Sequence, residues 1–310
     1  MSDQSVNILL STFNGETYLW QQFESFLAQE YRPVVIHLRD DASNDKSVEI
    51  ASAFAGSLAQ DQNIQVKVEA AQHLGVVESF FELLKNSDPN CAYYAFADQD
   101  DVWLDRKLSR AVAKIKQTKT DKPLLYFSRL HYVDKDLNSR GLSVPPKILG
   151  LGNALVNNVV PGCSLVMNKA LRDLLVTELP QKCLMHDWWV YLVASAMGEV
   201  IFDSEATILY RQHDNNVVGG TLNPVKNFYR RMRRFMKRRK FQLSDQAAEL
   251  LRIYGERMSP QAKGLVENFV RTKKSFFARV FFALNPKNGL KRQSSFDNLL
   301  LRFLIIIGRY

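Results

Sequence analysis

Cysteine is scarce in this chain. Cys91, Cys163 and Cys183 are odd in number, and no two stand at metal-ligand spacing. Neither a disulfide framework nor a zinc site is expected, and a reducing compartment fits. Long apolar runs are missing as well. The longest, Leu299 to Ile307, is broken by Arg302 and falls far short of the roughly 20 residues a membrane-spanning helix needs. No basic leader followed by an apolar stretch opens the sequence, so no secretory signal is expected. Zinc-finger and RNA-binding signatures are absent, which argues against nucleic acid as the partner of its many basic residues.

What is present is an ordinary globular composition, 46% hydrophobic and 24% charged, which excludes a disordered chain. Charge, however, is unevenly spread. Residues 1–225 hold 20 Lys/Arg against 27 Asp/Glu, a net of −7; residues 226–310 hold 21 against 5, a net of +16. So abrupt a shift predicts a division at that point: residues 1–225 as one domain, residues 226–310 as a basic helical C-terminal region.

The first 130 residues alternate strand-like runs with helix-length amphipathic stretches. Val6–Leu10, Val34–Leu38, Ile64–Val68 and Ala92–Phe96 read as strands; Thr17–Gln29, Asp45–Leu58, Val76–Leu84 and Arg106–Lys116 read as helices. Such alternation predicts crossover units and an α/β fold with a mainly parallel sheet. Further strands are expected at Leu124–His131, Leu165–Met167 and Ala206–Tyr210, with helices at Ala170–Val176 and His186–Met197 and a loop around Pro145, Pro146, Gly150 and Gly152.

Acidic residues cluster where these strands end. Asp40 and Asp41 follow the second strand; Asp98, Asp100 and Asp101 follow the fourth. Ligands of open α/β sheets bind outside the carboxyl ends of strands. Carboxylates gathered there repel one another unless a cation shares them, and hard oxygen ligands suit Mg²⁺ or Mn²⁺ bridging to substrate phosphates. Asp is also a common cap or turn residue. Asp45 is read in that plain way, whereas three acids in four residues directly after an apolar strand are read as functional.

Ser11-Thr12-Phe13-Asn14-Gly15-Glu16, Arg39-Asp40-Asp41-Ala42-Ser43 and Phe96-Ala97-Asp98-Gln99-Asp100-Asp101-Val102-Trp103, in that order, resemble the family 2 glycosyltransferases, and within them the bacterial rhamnosyltransferase-like subgroup. The resemblance covers about residues 5–220. It implies a GT-A fold and an inverting, single-displacement transfer from a nucleotide diphosphate sugar. It places Thr12, Phe13 and Asn14 in the nucleotide pocket, Asp41 on the base and Gly75 nearby. Asp100 would be a metal ligand, with Asp98 toward the ribose or the metal. Ala42, His73 and Leu104-Asp105-Arg106-Lys107 depart from the family's common Gly, Asn and Leu-Pro-Asp-Lys.

In the second half, Pro161-Gly162-Cys163-Ser164 resembles the glycine loop beside donor sugar and acceptor. His186-Asp187-Trp188-Trp189 resembles the acid motif, with Asp187 as the general base that takes the acceptor hydroxyl proton. A helix N-terminus favours the ionised carboxylate there. Tyr210-Arg211-Gln212-His213 matches the family's C-terminal histidine, implying His213 as a further metal ligand and Arg211 on the diphosphate. L-Rhamnose from dTDP-L-rhamnose, passed to a bacterial surface polysaccharide, is the transfer this subgroup implies; UDP-galactose or a UDP-N-acetylhexosamine is the alternative donor. A sugar-1-phosphate nucleotidyltransferase would instead carry a glycine- and basic-rich loop after the first strand, which this chain lacks. A non-catalytic adaptor sits poorly with an intact acid set.

Lys226 to Lys240 holds nine Lys/Arg and no acid, with Phe228, Met232, Phe235 and Met236 on one helical face. Phe276, Phe277, Val280, Phe281 and Leu284 form a second apolar face flanked by Lys273, Lys274 and Arg279. Both read as amphipathic surfaces for an anionic membrane, where a lipid-linked saccharide acceptor would be met. That predicts a peripheral protein at the cytoplasmic side of the plasma membrane; the plainer alternative is packing on the first domain.

Overall fold

The computed structural model describes residues 4–212 and 241–310, so His213 and the basic run Lys226–Lys240 lie outside the described residues. Val6–Thr12 (β1) is buried at nearly every position, as a strand covered on both faces must be. It pairs in parallel with Val34–Asp40 (β2) on one side and Tyr93–Ala97 (β4) on the other. Ile64–Ala70 (β3) pairs with β2 and forms the sheet edge; it is largely open to solvent, so its pattern is mixed rather than uniformly apolar.

Beyond β4 the sheet becomes mixed. Val102–Trp103 (β5), Leu124–Val133 (β6), Ser139–Leu142 (β7), Val166–Asn168 (β8) and Glu199–Arg211 (β9) complete it, in the order β3-β2-β1-β4-β8-β6-β9-β5 with β7 on β6. The short β8 runs antiparallel to both β4 and β6, while the long β6–β9 pairing is parallel. The longest pairings are therefore parallel, and the antiparallel ones are short.

Alternation along β1 divides the core. Val6, Ile8 and Leu10 pack with Leu19–Leu27 (α1), Ser47–Ser57 (α2) and Lys107–Gln117 (α4); Leu9 points to the opposite layer. That layer holds Val76–Lys85 (α3), Leu151–Ala154 (α5), Lys169–Thr177 (α6) and His186–Met197 (α7). Residues Trp189 to Ala194 of α7 are all fully buried, so the helix is apolar around its whole circumference. The C-terminal region packs into the same layer, with the Tyr254 ring centre 6.3 Å from that of Trp189: Leu243–Tyr254 (α8), Pro260–Arg271 (α9), Phe276–Leu284 (α10) and Ser295–Ile306 (α11).

Leu250, Tyr254, Phe269, Leu301 and Ile305 belong to the same hydrophobic cluster as α7. Ser259, Ser275 and Ser294 cap the starts of α9, α10 and α11, each accepting a backbone N–H from the first turn. Close approach is visible at Gly152, where an added Cβ would come within 2.0 Å of the Gly289 carbonyl oxygen. The described part of the basic region thus packs on the sheet domain. No helix among the described residues is long and apolar enough to cross a membrane.

Candidate functional site

The loops after β1, β2 and β4 meet at the carboxyl edge of the parallel half-sheet. Asp41 is buried there, and both of its oxygens are engaged. Arg39 donates to Oδ1 at 2.6 Å, the Leu74 and Gly75 backbone N–H groups donate at 2.8 Å each, and His73 Nδ1 stands 2.9 Å from Oδ2. Burial alone would raise the pKa of this carboxyl, but Arg39 and the two backbone donors outweigh it and hold it below the usual carboxylate range. Gly75 has φ +88° at the start of α3, which favours glycine and turns its N–H onto Asp41. Asp40 instead folds its own turn, accepting from the Ser43 N–H and hydroxyl.

Phe13 is exposed, and its ring centre lies 4.9 Å from that of His73. Two aromatic faces therefore stand at the mouth of the Asp41 pocket. Asn14, at φ +51°, donates its N–H to the Ser43 hydroxyl, and its side-chain oxygen accepts from the Asn44 N–H. Gln99 ties this loop to the acid cluster: its Oε1 accepts from Thr12 Oγ1 at 2.8 Å and the Phe13 N–H at 2.7 Å, and its Nε2 donates to the Phe13 carbonyl.

Behind Gln99, donor atoms of Asp98, Asp101 and Cys163 lie within 4.8 Å of one another. Burial comes first among the causes that raise the Asp98 pKa, followed by the charges of Asp100 and Asp187; Asp101 is raised by burial and by its two neighbours. Neither Asp98 nor Asp101 forms an ion pair with Lys or Arg among the described residues. Lys107 Nζ, fully buried 4.6 Å from the Trp103 ring centre, has no hydrogen-bond partner among the described residues; burial lowers its pKa to about 8 against the opposing charges of Cys163 and Asp101. Buried carboxylates crowded in this way fit a divalent cation with oxygen ligands. Asp98 and Asp101 supply those oxygens; the buried Cys163 thiol is a softer donor, and burial raises its pKa further. Asp100 lies outside this donor group but adjoins it in sequence.

Arg211 is placed otherwise than a diphosphate contact requires. It is buried, with its guanidinium on the Asp100 and Lys135 carbonyls and the Gln21 side chain and 4.3 Å over the Tyr18 ring, while its N–H donates to Asp101. So held, it braces the acidic turn.

Asp187 stands in the first turn of α7, 9% exposed. Burial raises its pKa to about 6, against the Trp188 N–H, which donates to Oδ1 at 2.6 Å, and the nearby Asn158 side chain and Gly162 and Asp187 backbone N–H groups, which favour the ionised form. A Cβ on Gly162 would sit 3.1 Å from His186 Nε2 and 3.4 Å from Asp187 Cβ, so a side chain there would crowd the carboxylate. His186 stacks on Phe80 at 4.0 Å with both ring nitrogens unpartnered among the described residues, and burial lowers its pKa to about 3; it is a neutral core residue. Trp188 and Trp189 are buried too, which removes them as an open sugar platform. Asp187 adds its charge to Asp98, which brings helix α7 and the acid cluster to one place.

Thr12, Phe13, Asn14, Asp41 and Gly75 thus lie on loops that meet at one sheet edge, with Asp98, Asp100, Gly162 and Asp187 beside them. Sequence reasoning passed over Arg39, Gln99 and Asn158, and treated His73 only as a departure from the family pattern. A cavity of about 690 Å³ lies elsewhere, lined by Tyr93, Leu124 and Asn168 at the opposite end of β4 and β6.

Residues 7–175 match the family model for Glycosyl transferase family 2. The "dTDP-rhamnosyl transferase RfbG" of Shigella flexneri is 27% identical over 237 residues, 72% of this chain and 78% of that one. The "UDP-Glc:alpha-D-GlcNAc-diphosphoundecaprenol beta-1,3-glucosyltransferase WfaP" of Escherichia coli is 28% identical over 145 residues, 46% of this chain and 53% of that one. Among solved structures, S. aureus TarS 1-349 in complex with UDP-GlcNAc covers 99% of this chain and 81% of its own at 16% identity and TM-score 0.58. Its complex with UDP reaches 0.59 at 15% identity, over 99% and 89% of the two chains. Those structures share the GT-A fold. With the family model spanning more than half of its length, the chain belongs to glycosyl transferase family 2 and is a glycosyltransferase.

Proposed function

We propose that this glycosyltransferase is inverting and metal-dependent, and that it moves L-rhamnose from dTDP-L-rhamnose onto a hydroxyl of a bacterial surface polysaccharide. The observation that carries the site assignment is the meeting of the Asp98–Asp101 acids, the Asp41 pocket and Asp187 at one sheet edge. The sugar follows the 27% identical rhamnosyl transferase. The partial match to a UDP-glucose enzyme favours a UDP-sugar as second reading, and its diphosphoundecaprenol substrate supports a lipid-linked acceptor at the cytoplasmic membrane face.

In this reading Phe13 and His73 flank the base. Asp41 reaches the base from a carboxylate already oriented by Arg39 and Gly75, and Gln99 fixes the Thr12-Phe13-Asn14 loop. Asp98, with Asp101 beside it, Asp100 next in sequence and His213, would hold Mg²⁺ or Mn²⁺, which when bound would supply positive charge against the leaving diphosphate. Gly162 leaves space for sugar and acceptor beside the base. Asp187 takes the proton of the acceptor hydroxyl as that oxygen attacks C1 opposite the diphosphate, so no covalent intermediate on the protein is required. Incubating the protein with dTDP-rhamnose, UDP-glucose, UDP-galactose and UDP-N-acetylglucosamine, with Mn²⁺, and measuring release of free dTDP or UDP tests the donor. Release from dTDP-rhamnose alone is expected; release only from a UDP-sugar would replace rhamnose by that sugar.

A further inference from the structure

On α10, Phe276, Phe277, Phe281 and Leu284 are exposed, Phe281 by 75%. On α11, Phe296, Leu299, Phe303 and Ile307 are exposed, at steps of three, four and four residues that form one stripe along the helix and its end. Large apolar residues scattered singly on a surface mean little, but stripes on two packed helices call for a partner. The helices touch through Arg279, whose Nε donates to the Ile306 carbonyl at 3.0 Å while its guanidinium lies 5.8 Å over the Phe276 ring. One end of each stripe is therefore joined at this arginine. What α10 and α11 turn toward the core is other: Ala283, Leu301 and Ile305.

We infer that the paired exposed faces of α10 and α11 are a membrane-docking surface that inserts between the headgroups of an anionic bilayer. Charge selects this occupant. Residues 271–310 carry nine Lys/Arg and a single acid, Asp297, which is buried. Lys274, Lys287, Lys291 and Arg309 are exposed. A second copy of the chain would bring an equally basic surface against this one, whereas anionic lipid supplies the opposite sign. Apolar residues, several aromatic, with a basic surround and no spanning helix among the described residues, have the composition of an interfacial element lying in the membrane plane. The surface lies on α10 and α11, outside the basic run Lys226–Lys240. It deepens the membrane location proposed above, and it is read without sugar transfer, so its failure leaves the reaction assignment intact.

The test is co-sedimentation of the full chain with phosphatidylglycerol-containing vesicles and with phosphatidylcholine vesicles, at low and high salt. Wild type is expected to bind the anionic vesicles and to weaken in salt. The variant Phe277→Ser/Phe281→Ser/Leu299→Ser/Phe303→Ser should bind more than about tenfold more weakly, with an unchanged far-ultraviolet spectrum, because every side chain removed is exposed. Equal binding of variant and wild type would overturn the proposal, as would a wild type that ignores vesicles but forms a dimer the variant cannot form. Phe281→Trp serves if the multiple variant does not fold. Its added emission should shift to the blue and be quenched by brominated acyl chains, and emission unchanged by vesicles would overturn the proposal equally.

Discussion

Asp187 is a residue pulled two ways. Burial raises its pKa to about 6, while the Trp188 N–H and the polar groups beside it favour the ionised form. A base must be deprotonated to work, so transfer should fall as pH drops through about 6 and level off above it. Asp187→Asn should leave donor affinity intact and cut transfer by roughly 10² to 10⁴; near wild-type turnover would place the base elsewhere. Asp41 shows the opposite balance. Its pKa is lowered in the fold, so its contribution to stability is present above the unfolded value of about 4 and lost as pH falls through the folded one. Asp41→Ala strands the buried Arg39 guanidinium and should cost about 3–5 kcal/mol in urea unfolding. A cost below about 1 kcal/mol would mean that the pair is not what orders this pocket. Both aspartates could be picked from the sequence because each sits in a short ordered motif. Gln99 and Asn158 could not be found that way. Gln99 works through Thr12 and Phe13, 87 and 86 positions away, and no local spacing encodes such a contact.

At the scale of elements, the parallel half-sheet was readable because β1, β2 and β4 are buried on both faces and stand out as apolar runs. β5 and α5 are too short to show a period, and β7 is mostly exposed. β9 extends back to Glu199, well before the expected start at Ala206, because Glu199, Asp203 and Glu205 hide the strand's alternation. Asp203 is itself buried, paired with Arg110 at 2.5 Å. Of the two apolar faces singled out in the C-terminal region, only that of α10 falls within the described residues, and its most exposed residues are those that turn away from the core. α8 does the reverse: Leu250 is fully buried in the cluster around α7. Leu250→Ala should therefore lower stability by about 2–5 kcal/mol in chemical denaturation. A loss under about 1 kcal/mol would show that α8 packs only loosely.

For the whole molecule, charge suggested two parts, and packing joins their described portions around α7. Beyond hydrophobic contacts, the Leu184 N–H donates to Gln246 and the Gln181 N–H to Glu249, so α8 also holds the segment that leads into Asp187. A chain ended at Val225 should expose the outer side of α7, bind a hydrophobic dye and lose its sharp thermal transition; a cooperative transition at the wild-type temperature would show that the basic region is dispensable for the fold. The acid cluster poses the matching question for function. Burial and like charge raise the pKa of Asp98, so its carboxylate is a strained guest of the fold, and sites of this kind are commonly kept for activity at the expense of stability. Titration calorimetry of dTDP and UDP into wild type and Asp98→Ala, with and without Mn²⁺, bears on this most directly. The account predicts nucleotide binding by wild type only with the metal, and its loss in an Asp98→Ala protein that melts at or above the wild-type temperature. Metal-dependent binding of unchanged affinity in that variant would contradict it.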